Sequence, residues 1–565
     1  MFDVVIVGSG ACGGWAAMAL GRAGMKVLLL EAGSAVNPAK DFHHTYLYEL
    51  PFRGRMKPGL QRKYFRNSTE RNYRIMIDDR ENPYTTPPDK PFFWSRSRVL
   101  GGRTLHWARV SDRMADYEFK AASRDGYGVD WPITYAELKP YYDRVETFIG
   151  VSARGENLPQ FPDGVFLPPM PLNCAEQIFA AGARKMGLPC TQRRLAQLTR
   201  MHRNRPPCHY CGNCVNGCDI GAMFSSVSST LPVALKTHNL EIRTDSVVAR
   251  VRITSDQRAQ GVTYIERNSS KAVDVDARWV ILAGSTLENT RLLLLSAKGG
   301  LGNSSGTLGQ YLMDQWNGPG VSGYLPVLKG GPSRLDDGKA SGITVPNTEN
   351  ISRVTTHKDF IRGYVMNATG GQTEYPMFLT GVKGYGSQWK RQMKELYPAQ
   401  ARIWCAGGEM LARKENRVEL DPNVKDAWGI PVLRITCTYS GNERRMYEHF
   451  YARALEWMKA AGGEVLSPST PPTSPMAGGE TLGERKPGLG IPGATIHEVG
   501  TSRMSNDSRE GVLNSYCQAH DVPNLYVFGG GAFPSTGDKH PTLTMMALTA
   551  RGCDHLLAFA RNRTS

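Results

Sequence analysis

The 565-residue chain contains no apolar run approaching about eighteen residues, the least a membrane-spanning helix needs, so no transmembrane span is expected. No secretory leader is expected at the start of this sequence either. The first strand-like run starts at residue 2 or 3, which leaves no place for n- and h-regions. The cysteine count is odd. Of eleven cysteines, Cys12, Cys174, Cys190, Cys405, Cys437, Cys517 and Cys553 are dispersed, and Cys208, Cys211, Cys214 and Cys218 are clustered. That distribution excludes the disulfide framework of a small secreted domain and reads as buried thiols plus one ligand cluster. Internal repeats are absent, and so is any RNA- or DNA-binding module. The formal net charge of +16 therefore reads as the scattered Lys and Arg of a large globular protein, with no nucleic-acid partner expected. Two stretches concentrate the charge: Arg53, Arg55, Lys57, Arg62, Lys63, Arg66, Arg71 and Arg74, then Arg193, Arg194, Arg200, Arg203 and Arg205. Each is expected to be a solvated face or a dock for an acidic protein.

What is present begins at the N-terminus. Val4-Val5-Ile6-Val7 is a β-branched run suited to a buried strand. Gly8-Ser9-Gly10-Ala11-Cys12-Gly13 follows as G-x-G-x-x-G, then a helical Trp15–Ala23 and a second strand, Val27–Leu30, ending at Glu31. This is a βαβ unit with an acid about twenty residues after the glycines, the context that makes the motif a dinucleotide site. Gly8 allows the tight turn, Gly10 the approach of a pyrophosphate, and Gly13 close packing of helix on strand. The helix N-terminus attracts phosphate, and Glu31 can accept from a ribose 2′-OH.

Residues 34–93 are polar and Pro-rich, as in long loops or a lid. Gly101-Gly102-Arg103-Thr104-Leu105-His106-Trp107 pairs glycines with an aromatic and a histidine, which suggests close backbone approach to something flat. Thr134 and Glu137 form a capping box for a helix running past Phe148. A helix is expected around Ala175–Met186, strands over Val247–Ile253, Gly261–Arg267 and Ala272–Leu282, and a helix over Leu287–Ser296. Strands at Arg402–Glu409 and Arg417–Leu420 and an amphipathic helix at Asn442–Ala461 mark a separate domain. Residues 466–492 read as a Pro/Gly/Ser-rich loop. Near the end stand His497–Met504, a buried strand at Leu525–Phe528 followed by glycines, and a helix starting at Thr542 just after His540-Pro541. Histidine is the side chain whose ordinary pKa suits proton transfer near neutrality. His497 and His540 are the candidates.

Cys208-x-x-Cys211-x-x-Cys214-x-x-x-Cys218 has ferredoxin-like spacing, with Asp219 where Pro usually follows. An Fe–S cluster, a Cys₄ zinc site and inert or disulfide-bonded thiols all remain open on spacing alone.

Gly8–Gly13, Asp130–Leu138, His497–Met504 and His540–Leu548 together resemble the glucose–methanol–choline (GMC) flavoprotein oxidoreductases. The resemblance covers the chain except residues 320–485. Within that family, the cysteine run and Ile220-Gly221-Ala222-Met223 look like bacterial FAD-dependent sugar dehydrogenases acting on glucose, fructose, gluconate or position 3 of glycosides. The resemblance implies an α/β fold: a Rossmann-like FAD-binding domain assembled from discontinuous segments, plus an α+β substrate domain with a mixed sheet. The segments would be 1–150, 225–317 and 491–565 for FAD, 151–224 as an insertion carrying the cysteines, and 318–490 for substrate. It implies FAD rather than NAD, and non-covalent binding is the expectation. Glu31 would meet the adenosine ribose, Val248 the adenine, Gly101 and Gly102 the flavin, Gly531 and Ala532 the pyrophosphate and ribityl chain, and Thr542 the pyrimidine edge. His106 stands where related pyranose oxidases link their flavin.

The same resemblance makes His497 the base, while His540 positions the hydroxyl and stabilises the forming alkoxide. Gln315 and Trp316 become substrate contacts, standing where the related pattern has His-Pro. The reaction implied is oxidation of a sugar or glycoside secondary alcohol, at pyranose C3 by overall likeness. The cysteines would hold a 3Fe–4S cluster through Cys211, Cys214 and Cys218, with Cys208 permitting 4Fe–4S. Electrons would pass to an external acceptor such as cytochrome c, steered by the arginines at 193–205. Export to the periplasm would depend on a small Tat-signal-bearing partner subunit, with the cytoplasm as the alternative, and any membrane association would run through partners. Some family oxidases carry a similar cysteine run, so an O2-reducing alcohol or glycoside oxidase stands as the other reading.

Overall fold

The computed structural model describes residues 1–42, 75–212, 214–332, 342–370, 384–405, 407–466 and 488–561. The basic stretch from Arg53 to Arg74 and most of the loop 466–492 lie outside them, as does much of the expected lid.

The first strand, Phe2–Val7, sits inside a seven-stranded sheet. It pairs in parallel with Val27–Leu30 on one side and with Ala272–Leu282 on the other. Leu240–Arg243 extends the sheet beyond Val27–Leu30, and Leu525–Val527 adds to Ala272–Leu282, both in parallel. Helices cover the central parallel strands, so Val4–Val7 and Val27–Leu30 are apolar and buried at every position, while the edge strand Leu240–Arg243 carries Glu241 and Arg243 and buries none of its residues. Ala272–Leu282 serves two sets of neighbours. Its first half pairs antiparallel with Ala259–Glu266, and its second half pairs in parallel with the first strand. Burial alternates along the first half and is continuous over the last four residues, as expected when one face and then both faces are covered.

Helix Ala11–Arg22 packs against Thr230–Leu235 and against Thr542–Arg561, and the last also touches Tyr135–Ile149. The capping box is formed: Glu137 N–H donates to Thr134 Oγ1 at 3.3 Å, and Thr134 N–H donates to Glu137 Oε2 at 2.8 Å. On the sheet's Ser246–Ile253 strand rests helix Thr286–Ser296.

A second, six-stranded sheet runs Glu464–Val465, Val321–Tyr324, Gln400–Cys405, Met366–Gly370, Ile343–Val345 and Thr191–Gln192, with antiparallel neighbours. Helices Gly441–Ala460 and Cys174–Lys185 pack against it and each other. Cys174–Gln192 thus belongs to this second sheet, although its position in the chain groups it with the cysteine-bearing insertion. That placement is what carries Arg193, the next residue, into the site described below.

Candidate active site

The glycine loop is built as its spacing requires. Gly8 has φ +98°, and a Cβ on it would stand 2.6 Å from Ala283 O. A Cβ on Gly13 would fall 1.9 Å from Gly8 O, so helix and strand meet there as closely as backbones can. Gly10 differs: nothing lies within 4 Å of where its Cβ would be. Its φ of −67° and ψ of −157° suit any residue. Glycine at this position serves open space rather than a backbone angle.

Gly101, at φ +96°, donates its N–H to Ser9 Oγ at 2.9 Å, and the Ser9 hydroxyl in turn donates to Glu31 Oε2 at 2.5 Å. Ser9 N–H and Gly33 N–H also donate to the Glu31 carboxylate. Burial raises its pKa despite these donors. Gly102 faces Gly10, whose Cα is 3.8 Å from a Cβ placed on Gly102. Val248 is buried in the strand whose first residue donates its N–H to Glu31 O at 2.9 Å. Gly531 and Ala532 lie in the short 3₁₀ turn Gly530–Ala532, and their carbonyls accept from Ser502 N–H and Met504 N–H. Ser502 Oγ is buried without a hydrogen-bond partner, 2.6 Å from a Cβ placed on Gly531. Thr542 begins the last helix. An open cradle at Gly10, a facing Gly102 and an orphaned hydroxyl beside Gly531 fit an elongated cofactor bearing phosphates. His106 is engaged elsewhere: its Nε2 is 2.5 Å from Ser97 Oγ, and burial lowers its pKa to about 4.

His497 and His540 come together, with ring centroids 4.6 Å apart and planes at 72°. The segment leading to His497 is pinned by buried Asp314, whose carboxylate accepts from Gly493, Thr495 and His497 N–H. Ile496 has φ +65°, a costly angle for a β-branched residue that persists only where surroundings impose it. Gln315 does not point at substrate space as a free contact. Its Nε2 donates to Gly537 O and Lys539 O at 2.9 and 2.8 Å, which turns Oε1 toward His497 Nδ1 at 2.6 Å. An amide oxygen only accepts, so Nδ1 carries the proton and the lone pair of His497 is on Nε2. Burial, then the Arg103 and Arg193 charges, lower the His497 pKa to about 3. Burial, His497 and Arg193 push His540 well below its usual value.

Trp316 corrects the sequence expectation. It is 0% exposed, packs edge-on or tilted against Tyr364, Tyr447 and Phe450, and donates its indole N–H to Met446 Sδ. It is a core residue of the second domain, its backbone bridged to Gly408 and its ring among the aromatics there. Trp316→Phe is expected to cost about 1 kcal/mol of stability through the lost N–H contact. Denaturant melts and steady-state kinetics would check this, with kcat and KM expected to stay at wild-type values.

Two residues of the site carried no sequence signal of their own. Arg103, in the glycine-rich turn, pairs with Glu498 at 2.8 Å and so ties that turn to the His497 segment. Arg193 reaches His540, its Nη2 standing 3.4 Å from Nε2. The basic stretch 193–205 is therefore not one docking face. Arg194 and Arg205 are buried and donate to backbone carbonyls of Phe161, Pro162, Ile149 and Gly221, which leaves Arg200 and Arg203 exposed.

The four clustered cysteines line one pocket with Gln197, Tyr210 and Met223. Cys208 Sγ accepts from Gln197 Nε2 and Tyr210 N–H, and Cys218 is lowered by backbone N–H groups of Met223, Ala222 and Gly221, although burial leaves both thiols raised. Among the described residues no group of three or more His, Cys, Asp or Glu is arranged to hold a metal ion, and no disulfide joins the eleven cysteines. The 3₁₀ turn Cys214–Asn216 packs on Gly102–Leu105.

Comparison with known proteins agrees with this geometry. The chain is 27% identical to the 2-methyl-1,2-propanediol dehydrogenase of Mycolicibacterium austroafricanum, covering 98% of this chain and 95% of that one. It is 28% identical to the fructose dehydrogenase large subunit of Gluconobacter japonicus, over 98% and 97%. The fold superposes on pyridoxine 4-oxidase from Mesorbium loti with a TM-score of 0.63 at 17% identity, over 98% and 99% of the two chains. Residues 2–317 and 412–549 match the two family patterns described as GMC oxidoreductase. The first match takes in the glycine loop and the second takes in both histidines, and on those matches the chain belongs to the GMC oxidoreductase family, FAD-dependent enzymes that oxidise alcohol groups.

Proposed function

We propose that this enzyme is a dehydrogenase oxidising a secondary hydroxyl of a sugar or glycoside, at pyranose C3, to the ketone. The observation that carries the reading is the histidine pair with Gln315 fixing the His497 tautomer. His497 Nε2 takes the hydroxyl proton, and His540 lies beside the same oxygen. FAD, when bound, supplies a two-electron acceptor at N5 for the carbinol hydride. Gly10, Gly102 and the Gly531–Ala532 turn would hold its phosphates, ribityl chain and flavin, with Glu31 and Val248 at the adenosine end.

The cysteine run is proposed to hold an Fe–S cluster, through Cys211, Cys214 and Cys218 for 3Fe–4S or with Cys208 for 4Fe–4S. Support comes from the shared pocket, from backbone N–H donors of the kind that favour thiolate, and from the packing of the Cys214 turn on Gly102–Leu105. Such a cluster would pass electrons singly to an acceptor such as cytochrome c. The relative called a large subunit supports a partner subunit for this chain too, and with it a periplasmic location. An O2-reducing oxidase with structural cysteines is the second reading. It is supported by burial of Cys208 and Cys218, which raises both thiol pKa values and so favours inert thiols.

Anaerobic mixing of purified enzyme with pyranoses, glycosides and 1,2-diols tests the reading. Bleaching of the flavin bands by a pyranoside, with a 3-keto product by NMR, is expected. Iron and acid-labile sulfide should accompany the protein, and Cys214→Ser should remove them while retaining FAD. Iron-free protein that turns over in air with stoichiometric peroxide would establish the oxidase instead.

A further inference from the structure

We propose that Arg193, brought in by the second domain, is a catalytic residue: its guanidinium contacts the oxygen from which His497 takes the proton and carries that oxygen's developing negative charge. The proposal rests on the reading of His497 and His540 as the reacting site.

Hydrogen-bond polarity leads to it. Gln315 leaves His497 Nε2 as a lone pair. A guanidinium only donates, so Arg193 Nη2, 3.4 Å from His540 Nε2, makes that nitrogen an acceptor too. Neither Nε2 then presents an N–H, and burial keeps both rings neutral. Proton transfer turns His497 into an imidazolium, whose lowered pKa makes it a weak holder of that proton unless a second, permanent cation shares the oxygen's negative charge. Arg103 is paired with Glu498, and Lys539 is tied to Asp538 and Glu118. Arg193 is the cation at the imidazoles themselves.

Its placement is built. Arg193 directly follows the edge strand Thr191–Gln192, and its guanidinium carbon lies 5.6 Å above the Trp404 ring. Gly342 leaves room for its stem: a Cβ there would come within 3.2 Å of both Arg193 Cδ and Trp404. The charges around it are mixed, with Asp112 and Glu176 opposed by Arg109 and Arg402. Burial lowers its pKa to about 10, which leaves it charged at neutral pH. One charge then acts twice. It weakens His497 as a base and makes the substrate hydroxyl a stronger acid, so the two are matched to each other. In the step itself the O–H proton passes to His497 Nε2, the C–H bond breaks with its electron pair going to oxidised flavin, and C=O forms. Arg193 transfers nothing.

Arg193→Ala, Arg193→Lys and His497→Ala would be compared by anaerobic stopped-flow reduction of the bound FAD. Arg193→Ala is expected to slow the limiting rate about 10²–10³-fold, the usual effect of removing one donor to a developing oxyanion. Half-saturation should change far less, Arg193→Lys should keep part of the rate, and guanidinium ion should restore part of it to the Ala variant, a rescue that a purely structural role would not give. Wild-type reduction by Arg193→Ala, or a raised half-saturation at an unchanged limiting rate, would overturn the proposal. If His497→Ala still fails to reduce flavin, the site reading survives that result; if His497→Ala also reduces normally, the site reading fails as well. Should Arg193→Ala lose FAD, the Lys variant decides: a limiting rate equal to wild type would overturn the assignment.

Discussion

His497→Ala is expected to retain FAD and lose flavin reduction by about 10²–10⁴-fold, the contribution of a positioned general base. The retained cofactor follows from geometry, because the proposed FAD contacts lie at Gly10, Gly102, Glu31 and the Gly530–Ala532 turn rather than on this side chain. The loss follows from tautomer and position. Gln315 holds the His497 Nδ1 proton at 2.6 Å, which leaves Nε2 as the acceptor. With its pKa lowered to about 3 by burial and two nearby arginines, the imidazole is unprotonated at any ordinary working pH. The sign is then fixed: protonation would disable the base only as pH falls toward about 3, so the limiting rate of reduction should not drop through the region near pH 6.5 where an ordinary histidine titrates. Stopped-flow reduction across pH checks both parts. A variant that reduces flavin at the wild-type rate, or a wild-type acid limb centred near 6.5, would contradict the assignment.

Gly10→Val separates cofactor binding from folding. The backbone angles of Gly10 suit any residue, and nothing stands within 4 Å of its missing Cβ. The cofactor-free protein should therefore fold as the wild type does, melting slightly lower because valine is a poorer N-cap than glycine for helix Ala11–Arg22. Bound FAD would meet the new methyl groups where its pyrophosphate must approach. Overpacking of about 1–3 kcal/mol corresponds to roughly 5- to 150-fold weaker binding, before counting lost N–H contacts. Gly13→Val should behave differently, since its side chain would collide with Gly8 O and disturb the fold itself. FAD content after gel filtration and thermal melts of the cofactor-free proteins distinguish the two. Equal FAD occupancy in Gly10→Val and wild type would remove the cradle from this loop.

The reach of the sequence reading follows a physical division. The βαβ unit, the Thr134 capping box and the helices after Ser285 and Pro541 are specified by contacts within a few residues, and periodicity and turn chemistry report such contacts directly. The histidine pair was accessible through motif resemblance. Gln315 was singled out for the wrong partner: its role depends on Gly537 and Lys539 carbonyls more than two hundred residues away, which no local pattern encodes. Trp316 sits beside it, yet alternation of the chain sends it into the core of the second domain. Arg193 was obscured by its neighbours. In sequence it is one of five arginines in a basic stretch, and only the pairing of Thr191–Gln192 with Ile343–Val345 turns it inward while Arg200 stays in solvent.

The double role of strand Ala272–Leu282 bears on how the protein is made. Phe2–Val7 is synthesised well before that distant strand, one of its partners, and Leu525–Val527 follows only more than two hundred residues after it. Contacts this far apart fold slowly, because loop closure precedes their reward. During synthesis Ala272–Leu282 presents an open apolar edge, the kind that templates unwanted strand pairing. The two halves of the proposed active site share that order: the glycine loop is made long before the histidines and the Gly530–Ala532 turn, so the proposed FAD contacts are complete only once that segment has docked. FAD, binding only the docked arrangement, would then stabilise the assembled fold rather than guide its early pairing.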